Sequence, residues 1–313
     1  MFPHPRLAIA TASVLAWFLL PQVLSLHYLD VLNFAAILAI GGLGVGLLLG
    51  QCGIVNLGQA AFYGCGAYVT AYGTTVLGWP ALPSLVFGAV ISGGLAALIG
   101  FPILRLSGFF LALATLAMGS IAGVLFFEWD WLTGGTLGMG GIPKLSLLGF
   151  ELSTPGRYHY FIWPLVVLLL WLARNLVDSR PGLAMRAMRD AAPAAEVLAV
   201  DMHGLKTAMF VICAVLGSVA GSLFAHYVSF VSVQSFTVEK SIMFLLVPVV
   251  AGVHSVFGIV IGALFVALVP ELLSGLGDMH QVLFGLVLVL VVTVVPGGLT
   301  GAFKQFRLIR RGR

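Results

Sequence analysis

Three ionisable side chains stand beside long apolar runs: His226 next to Tyr227, His254, and Glu271 directly after Pro270. A charge at depth in hydrocarbon is costly, so each is a candidate base, proton carrier or ion ligand. All three also fall near the expected end of a run, where a polar tip reaches the headgroup region instead. The groupings that other chemistry demands are missing from the sequence: no Ser/His/Asp set, no HExxH, no pair of carboxylates on one helix face, and no GxxxxGK[ST] to cradle a nucleotide. No catalytic residue is therefore assigned. Cys52, Cys65 and Cys213 lie singly in apolar runs without CxxC spacing or histidines at ligand distance, so neither a disulfide framework nor a metal site is expected. One further polar group interrupts the apolar sequence, the amides Gln51, Asn56 and Gln59 set among Gly50, Gly53 and Gly58. Irregular backbone there must be satisfied by protein or by a water-filled cavity. The segment reads either as a turn between two spans or as the lining of a gate or pathway.

The elements that position these residues follow from composition. Of 313 residues, 60% are apolar and 8% charged, against roughly 45–50% and 25% in globular proteins. So few charges cannot cover a soluble particle of this size, and no alternating ten-residue pattern of barrel strands is present. An all-α integral membrane protein, a polytopic helical bundle, is expected. A crossing takes about 20 apolar residues. The charge-free runs are 7–29, 31–104, 106–127, 158–173, 207–238, 241–270 and 279–303. The second has room for three helices, broken at Gly53–Gly58 and Gly78–Pro83, and the 241–270 run is interrupted at Gly252–Gly258. About ten transmembrane segments result, with Leu7–Leu20 as the first rather than a cleaved signal.

Ten crossings put both termini on one side. With that side cytoplasmic, the inner set is Arg6, Arg105, Arg174, Arg180, Arg186, Arg189, Lys206, Lys304, Arg307, Arg310, Arg311 and Arg313, and the outer set is Lys144, Arg157 and Lys240. The bias follows the positive-inside tendency. The whole chain, 1–313, reads as one domain with an outer loop at 128–157, an inner loop at 178–206 and a basic tail at 304–313 that suits lipid headgroups. The basic residues flank spans, so no nucleic-acid partner is expected.

Small residues mark where helices approach closely. Gly42, Gly46 and Gly50 recur every four residues and form one narrow stripe, and Gly258 and Gly262 repeat the pattern. The inner loop is the one long helix-prone stretch outside the apolar runs. Met185, Met188, Ala192 and Ala195 fall at three- and four-residue steps, Arg186, Arg189 and Asp190 take other faces, and Pro193 suits the first turn of a second short helix. The methionine stripe fits either the chain's own spans or a cytosolic partner.

At this loop the sequence resembles the coupling loop of ABC importer permeases, with Ala194-Ala195-Glu196-Val197-Leu198-Ala199-Val200 standing where that family's EAA pattern runs. Gly53–Tyr68, Gly108–Ala117, Trp131–Pro143, Ala225–Tyr227 and Gly252–Gly258 look like segments of the branched-chain amino-acid permeases of the LivM-like branch, in the same order. Ala199 stands where the family usually has glycine, which alters the conformations open to that turn. The resemblance implies a permease subunit of an ATP-driven importer for branched-chain amino acids, or for urea, amides or other amino acids, in a bacterial cytoplasmic (inner) membrane. It implies a second permease subunit forming a heterodimer, two cytosolic ATP-binding subunits that hold the ATP, a periplasmic or surface solute-binding protein, and no cofactor in this chain. By the same resemblance Arg186, Arg189, Ala194, Ala195, Glu196, Leu198 and Ala199 couple to the ATPases, and Thr133, Gly134 and Gly135 lie near the binding protein. Gln51, Asn56 and Gln59 remain the pathway or gate candidates. The readings from other classes are an ion-coupled transporter using Glu271 and an intramembrane enzyme using His226 or His254.

Overall fold

The computed structural model describes Trp17 and residues 20–147, 150–197, 201–295 and 297–301. Its main helices are α1 (Leu26–Cys52), α2 (Gln59–Thr75), α3 (Ala81–Ile103), α4 (Gly108–Glu128), α5 (Pro155–Asp178), α6 (Arg180–Asp190), α7 (Ala192–Val197), α8 (Met202–Val228), α9 (Val238–Ala251), α10 (Gly258–Leu273) and α11 (His280–Val294). Five of them, α1, α3, α4, α5 and α8, and the stretch Val282–Gly301 are long and apolar enough to cross a membrane, six in all by length and composition. The ten expected segments are not reached on that measure. The helices α2, α9 and α10 have 17, 14 and 16 residues, and most of the expected first segment, Leu7–Leu20, lies outside the described residues.

The bundle has two chemically distinct ends. At one, the last turn of α1, the α9–α10 turn and the end of α6 meet through Arg189, and His203 packs on Phe101. Arg105, just past the end of α3, and Arg174, Arg180, Arg186 and Lys206, by their places on α5, α6 and α8, belong to this arginine end. At the other, loop end, Asn33 of α1 donates to Pro155 O and to the Tyr227 hydroxyl, and His27 meets Glu271. The helices α1–α5 and α8–α11 therefore run alternately between the two ends.

The two longest helices, α1 and α8, have 27 residues each, and each is followed by a non-helical segment and a shorter helix. After α1, residues 53–58 do not turn at the surface. Gly53 caps α1 in the left-handed region, φ 69°, its N–H bonded to Leu49 O, a conformation glycine enters without penalty. The chain then rises inside the bundle, and Gln59, the first residue of α2, donates to Gly41 O and Cys213 O. Both acceptors lie about 16 Å from the arginine-end termini of their helices at 1.5 Å per residue. After α8, Phe230–Val231 pairs antiparallel with Met139–Gly140 of the loop, and a short 3-10 turn leads to α9. Ala60 N donates to Ser241 Oγ at 2.9 Å, so the N-terminal turns of α2 and α9 meet within the bundle.

Apolar residues surround most of these helices, so hydrophobicity alone does not say which side faces in. Size does. The buried residues of α3 are Ala81, Ser84, Gly88, Ser92, Gly93, Ala96 and Gly100, all small, whereas Phe87, Leu95, Leu98 and Phe101 are exposed. Lipid is as apolar as leucine, so close backbone approach, rather than hydrophobic burial, holds membrane helices together. The helix α1 is buried along most of its length, packed by α5, α8, α9 and α10.

Gly66 tests this. An added Cβ would run into the Ser218 carbonyl of α8, whereas at Gly94 it meets nothing within 4 Å. Gly66→Ala is expected to destabilise the detergent-solubilised chain by roughly 1–3 kcal/mol. Gly94→Ala should leave it unchanged or raise it by about 0.5–1 kcal/mol, since alanine is the better helix former. Thermal unfolding of the two variants checks the sign of each.

Candidate functional site

The first candidate surrounds the broken connection between α1 and α2. Asn56 and Gln59 are fully buried and face each other, Asn56 Nδ2 to Gln59 Oε1 at 3.1 Å. Asn56 Oδ1 accepts from Gly58 N at 2.9 Å, a local turn that asparagine makes readily. Its amide nitrogen also reaches Cys213 Sγ at 3.5 Å, and that thiol donates to Gln59 Oε1 at 3.1 Å. Leu57 N is taken by Thr115 Oγ1 of α4 at 3.1 Å. Gly58 fits because Thr115 O and Met118 stand where any Cβ would go. Gln51 stands apart in the last turn of α1, its carbonyl oxygen buried without a hydrogen-bond partner among the described residues. Cys213, Thr115 and Ser241 complete the cluster, and no sequence signal reaches them, because each is a lone polar residue in an apolar run on a distant helix.

Beside this cluster, an apolar cavity of about 780 Å³ opens between α2, α3 and α4. Ala61, Phe62 and Met118 line it near the broken connection, and Tyr72, Trp79, Trp129 and Trp131 line it near the loop end. Its walls suit an aliphatic side chain and offer almost nothing to a charge.

The second candidate is the helix pair α6 and α7 at the arginine end. Ser179 caps α6 by accepting from Gly182 N, the chain breaks at Ala191, and Pro193 sits in the first turn of α7. The methionine stripe rests on the chain's own spans, with Met185 and Met188 buried, as is Ala195. Arg189 also points inward. Its Nη1 donates to Gly50 O and meets His254 Nδ1 at 3.1 Å, its Nε reaches Asp190 at 2.8 Å, and its stem lies against Gly53. A guanidinium only donates, so His254 Nδ1 is the acceptor in that contact. The hydrogen bond from Arg189 holds the exposed Asp190 carboxyl below its usual range. Arg186 is half-buried, while Leu183, Ala187, Glu196 and Val197 face outward. Leu198 and Ala199 lie outside the described residues.

At the loop end, Thr133, Gly134 and Gly135 build the loop rather than present side chains. The Thr133 hydroxyl is buried, donating to Phe126 O and Trp129 O and accepting from Gly135 N. Leu137 is the residue they push outward, 85% exposed. Beneath it, Lys144 donates to Tyr227 O, and Tyr227 donates to Asp30. Desolvation draws the Lys144 ammonium below its ordinary value, with Asp30 opposing.

The glycine stripes face α9 and α10. Cβ atoms at Gly42 and Gly46 would lie 2.8 Å from Val247 Cβ and 2.7 Å from Ile259 Cδ1, and one at Gly50 would run into Val253 O. Gly262 abuts Val247 O, and Gly258 is held against Thr300 and Ser255.

Two expectations need correction. His226 does not reach headgroups: it is fully buried, its Nδ1 2.8 Å from Pro143 O beneath the loop. Glu271 is in the last turn of α10 and 2.7 Å from His27, so it is no mid-membrane carboxylate for an ion-coupled cycle.

Alternating apolar helices around broken, internally satisfied segments, with an amphipathic helix pair at one end, define a multi-pass membrane permease. The chain belongs to the family described as the branched-chain amino acid transport system / permease component, whose model matches residues 27–292. It is a transporter subunit rather than an enzyme. Two relatives, each described as "High-affinity branched-chain amino acid transport system permease protein LivM", come from Escherichia coli strain K12 and Salmonella typhimurium strain LT2. Each is 31% identical over 310 residues, covering 91% of this chain and 72% of the relative. No solved structure matches the chain.

Asn56→Leu removes the partner of the Gly58 N–H inside the bundle. A stranded buried polar group costs about 1–3 kcal/mol, so the variant is expected to unfold at lower temperature in detergent. An unchanged unfolding temperature would show that water satisfies the segment in place of the amide.

Proposed function

We propose that this chain pairs with a second, related permease to form the translocation pathway of an ATP-driven importer for branched-chain amino acids in a bacterial cytoplasmic membrane. Two cytosolic ATP-binding subunits and a periplasmic or surface solute-binding protein complete the assembly. The alternation of nine described helices, preceded by the apolar stretch Leu7–Leu20, supports ten crossings with both termini cytoplasmic. Arginines gather at one end, which supports placing that end in the cytoplasm. The apolar cavity between α2, α3 and α4 favours an aliphatic cargo over a strongly polar one.

The observation that carries the proposal is the division of labour on α6 and α7. Met185, Met188 and Ala195 hold the pair to the bundle, leaving Leu183, Ala187, Glu196 and Val197 as a free edge. Leu183 and Val197, 63% and 87% accessible, give that edge apolar surface on which a partner can pack. That edge is the surface for the ATPase. When ATP draws the ATPases together, the displaced pair pulls through Arg189 on the end of α1 and on the α9–α10 turn. The bundle then shifts between two arrangements, provided ATP biases one over the other. The basic tail at 304–313 anchors to anionic lipid, and Leu137 lies at the face offered to the binding protein.

Glu196→Lys and Leu183→Glu are expected to insert normally yet fail to recover ATP-binding subunits in a mild-detergent pull-down, and uptake of labelled leucine should fall about tenfold or more, the loss of one interface anchor. Normal uptake with normal co-purification would refute the docking edge.

A further inference from the structure

A second, smaller cavity of about 180 Å³ lies between α1, α9 and α10, separated from the apolar one by the buried Tyr63. Two opposite charges line it, Lys240 from the first turn of α9 and Glu271 from the last turn of α10. Phe34, Leu38, Met243 and Val266 supply apolar wall. Lys240 was expected among the outer charges that flank the spans. Instead it lines this cavity beside Leu38, one turn before Phe244, whose ring packs against Gly41 within the bundle. Among the described residues its ammonium has neither a hydrogen bond nor an ion pair. An unpaired lysine within the apolar part of a bundle is expensive and marks a functional site by default. It also stands at the N-terminal end of α9, whose free N–H groups add to its attraction for an anion. Glu271 uses one carboxylate oxygen on His27, which leaves the other for a cation.

We infer that this cavity binds a zwitterion, with the anionic group on Lys240, the ammonium on Glu271 and the hydrocarbon part against Phe34, Leu38, Met243 and Val266. A cavity of about 150 Å³ takes a benzene-sized molecule, so the space matches one small aliphatic amino acid. A phosphatidylethanolamine headgroup carries the same pair of charges. Naming an amino acid rests on the importer reading, whereas the charge arrangement does not.

The test uses the full-length chain, with the subunits that accompany it, in nanodiscs containing phosphatidylglycerol alone. Binding of tritiated leucine is measured for wild type, Lys240→Gln, Glu271→Gln and Lys240→Arg, and phosphatidylethanolamine retained from the cell membrane is scored by native mass spectrometry. The expected result is saturable leucine binding weakened about tenfold or more in the first two variants and kept by Lys240→Arg, which guards against a folding defect. Phosphatidylethanolamine held by wild type and lost from Lys240→Gln, without leucine binding, supports the same site with a lipid as its occupant. If neither zwitterion is held, or both are held equally by all four proteins, the site is overturned. Leucine uptake by whole cells separates the two readings. Uptake intact with no zwitterion held removes the site and leaves the importer, whereas a chain that carries no leucine but holds a zwitterion at Lys240 does the reverse.

Discussion

In hydrocarbon no water is available to an open N–H or C=O, and the rest of this structure is arranged around that constraint. Most of the helices satisfy it by being helices. The connections that enter the bundle do not: the stretch before α9 is completed by backbone pairing with the loop, whereas residues 53–58 and the first turn of α2 rely on side chains. Asn56 serves Gly58, Thr115 serves Leu57, Gln59 spans from Gly41 to Cys213, and Ser241 serves the first turn of α2. These bonds tie α1, α2, α4, α8 and α9 to one another. The fold's polar chemistry therefore sits where its backbone is irregular, and the surrounding helices need little beyond size complementarity.

Size complementarity decides the remainder. With small residues turned inward on α3 and glycines of α1 turned toward α9 and α10, backbones approach to contact, and many weak dispersion contacts accumulate along each helix pair. Such an interface has little slack. A shift at one end of α1 cannot be absorbed along its length, because Gly42, Gly46 and Gly50 leave no room for it. Rigid spines joined by breakable turns are what an alternating-access device requires.

Much of this was legible in the sequence, and what was not has a physical reason. Charge-free runs located the helices, glycine clusters located the breaks at Gly53–Gly58 and Gly252–Gly258, and the three- and four-residue steps of Met185, Met188, Ala192 and Ala195 placed the inner helix pair, though not whether its methionines face the spans or a partner. Depth was not legible. Lys240 read as an outer charge flanking a span because charge at a run's edge looks the same whether the helix starts at the membrane surface or inside the bundle. The resemblance places Thr133, Gly134 and Gly135 near the binding protein, and sequence alone does not show that the Thr133 hydroxyl is bonded inside the loop. His226 read as interfacial because nothing in one dimension shows that Pro143 folds over it.

Arg189 shows how one side chain alters the meaning of an element. Read by sequence position, it belongs with the charges offered to a partner. In the structure it is spent inward, bridging Gly50 O at the C-terminal end of α1, where a cation also meets the helix dipole, and His254 of the α9–α10 turn. Arg189 therefore joins α6 to the end of α1 and to the α9–α10 turn, in addition to the packing of Met185 and Met188 on the spans.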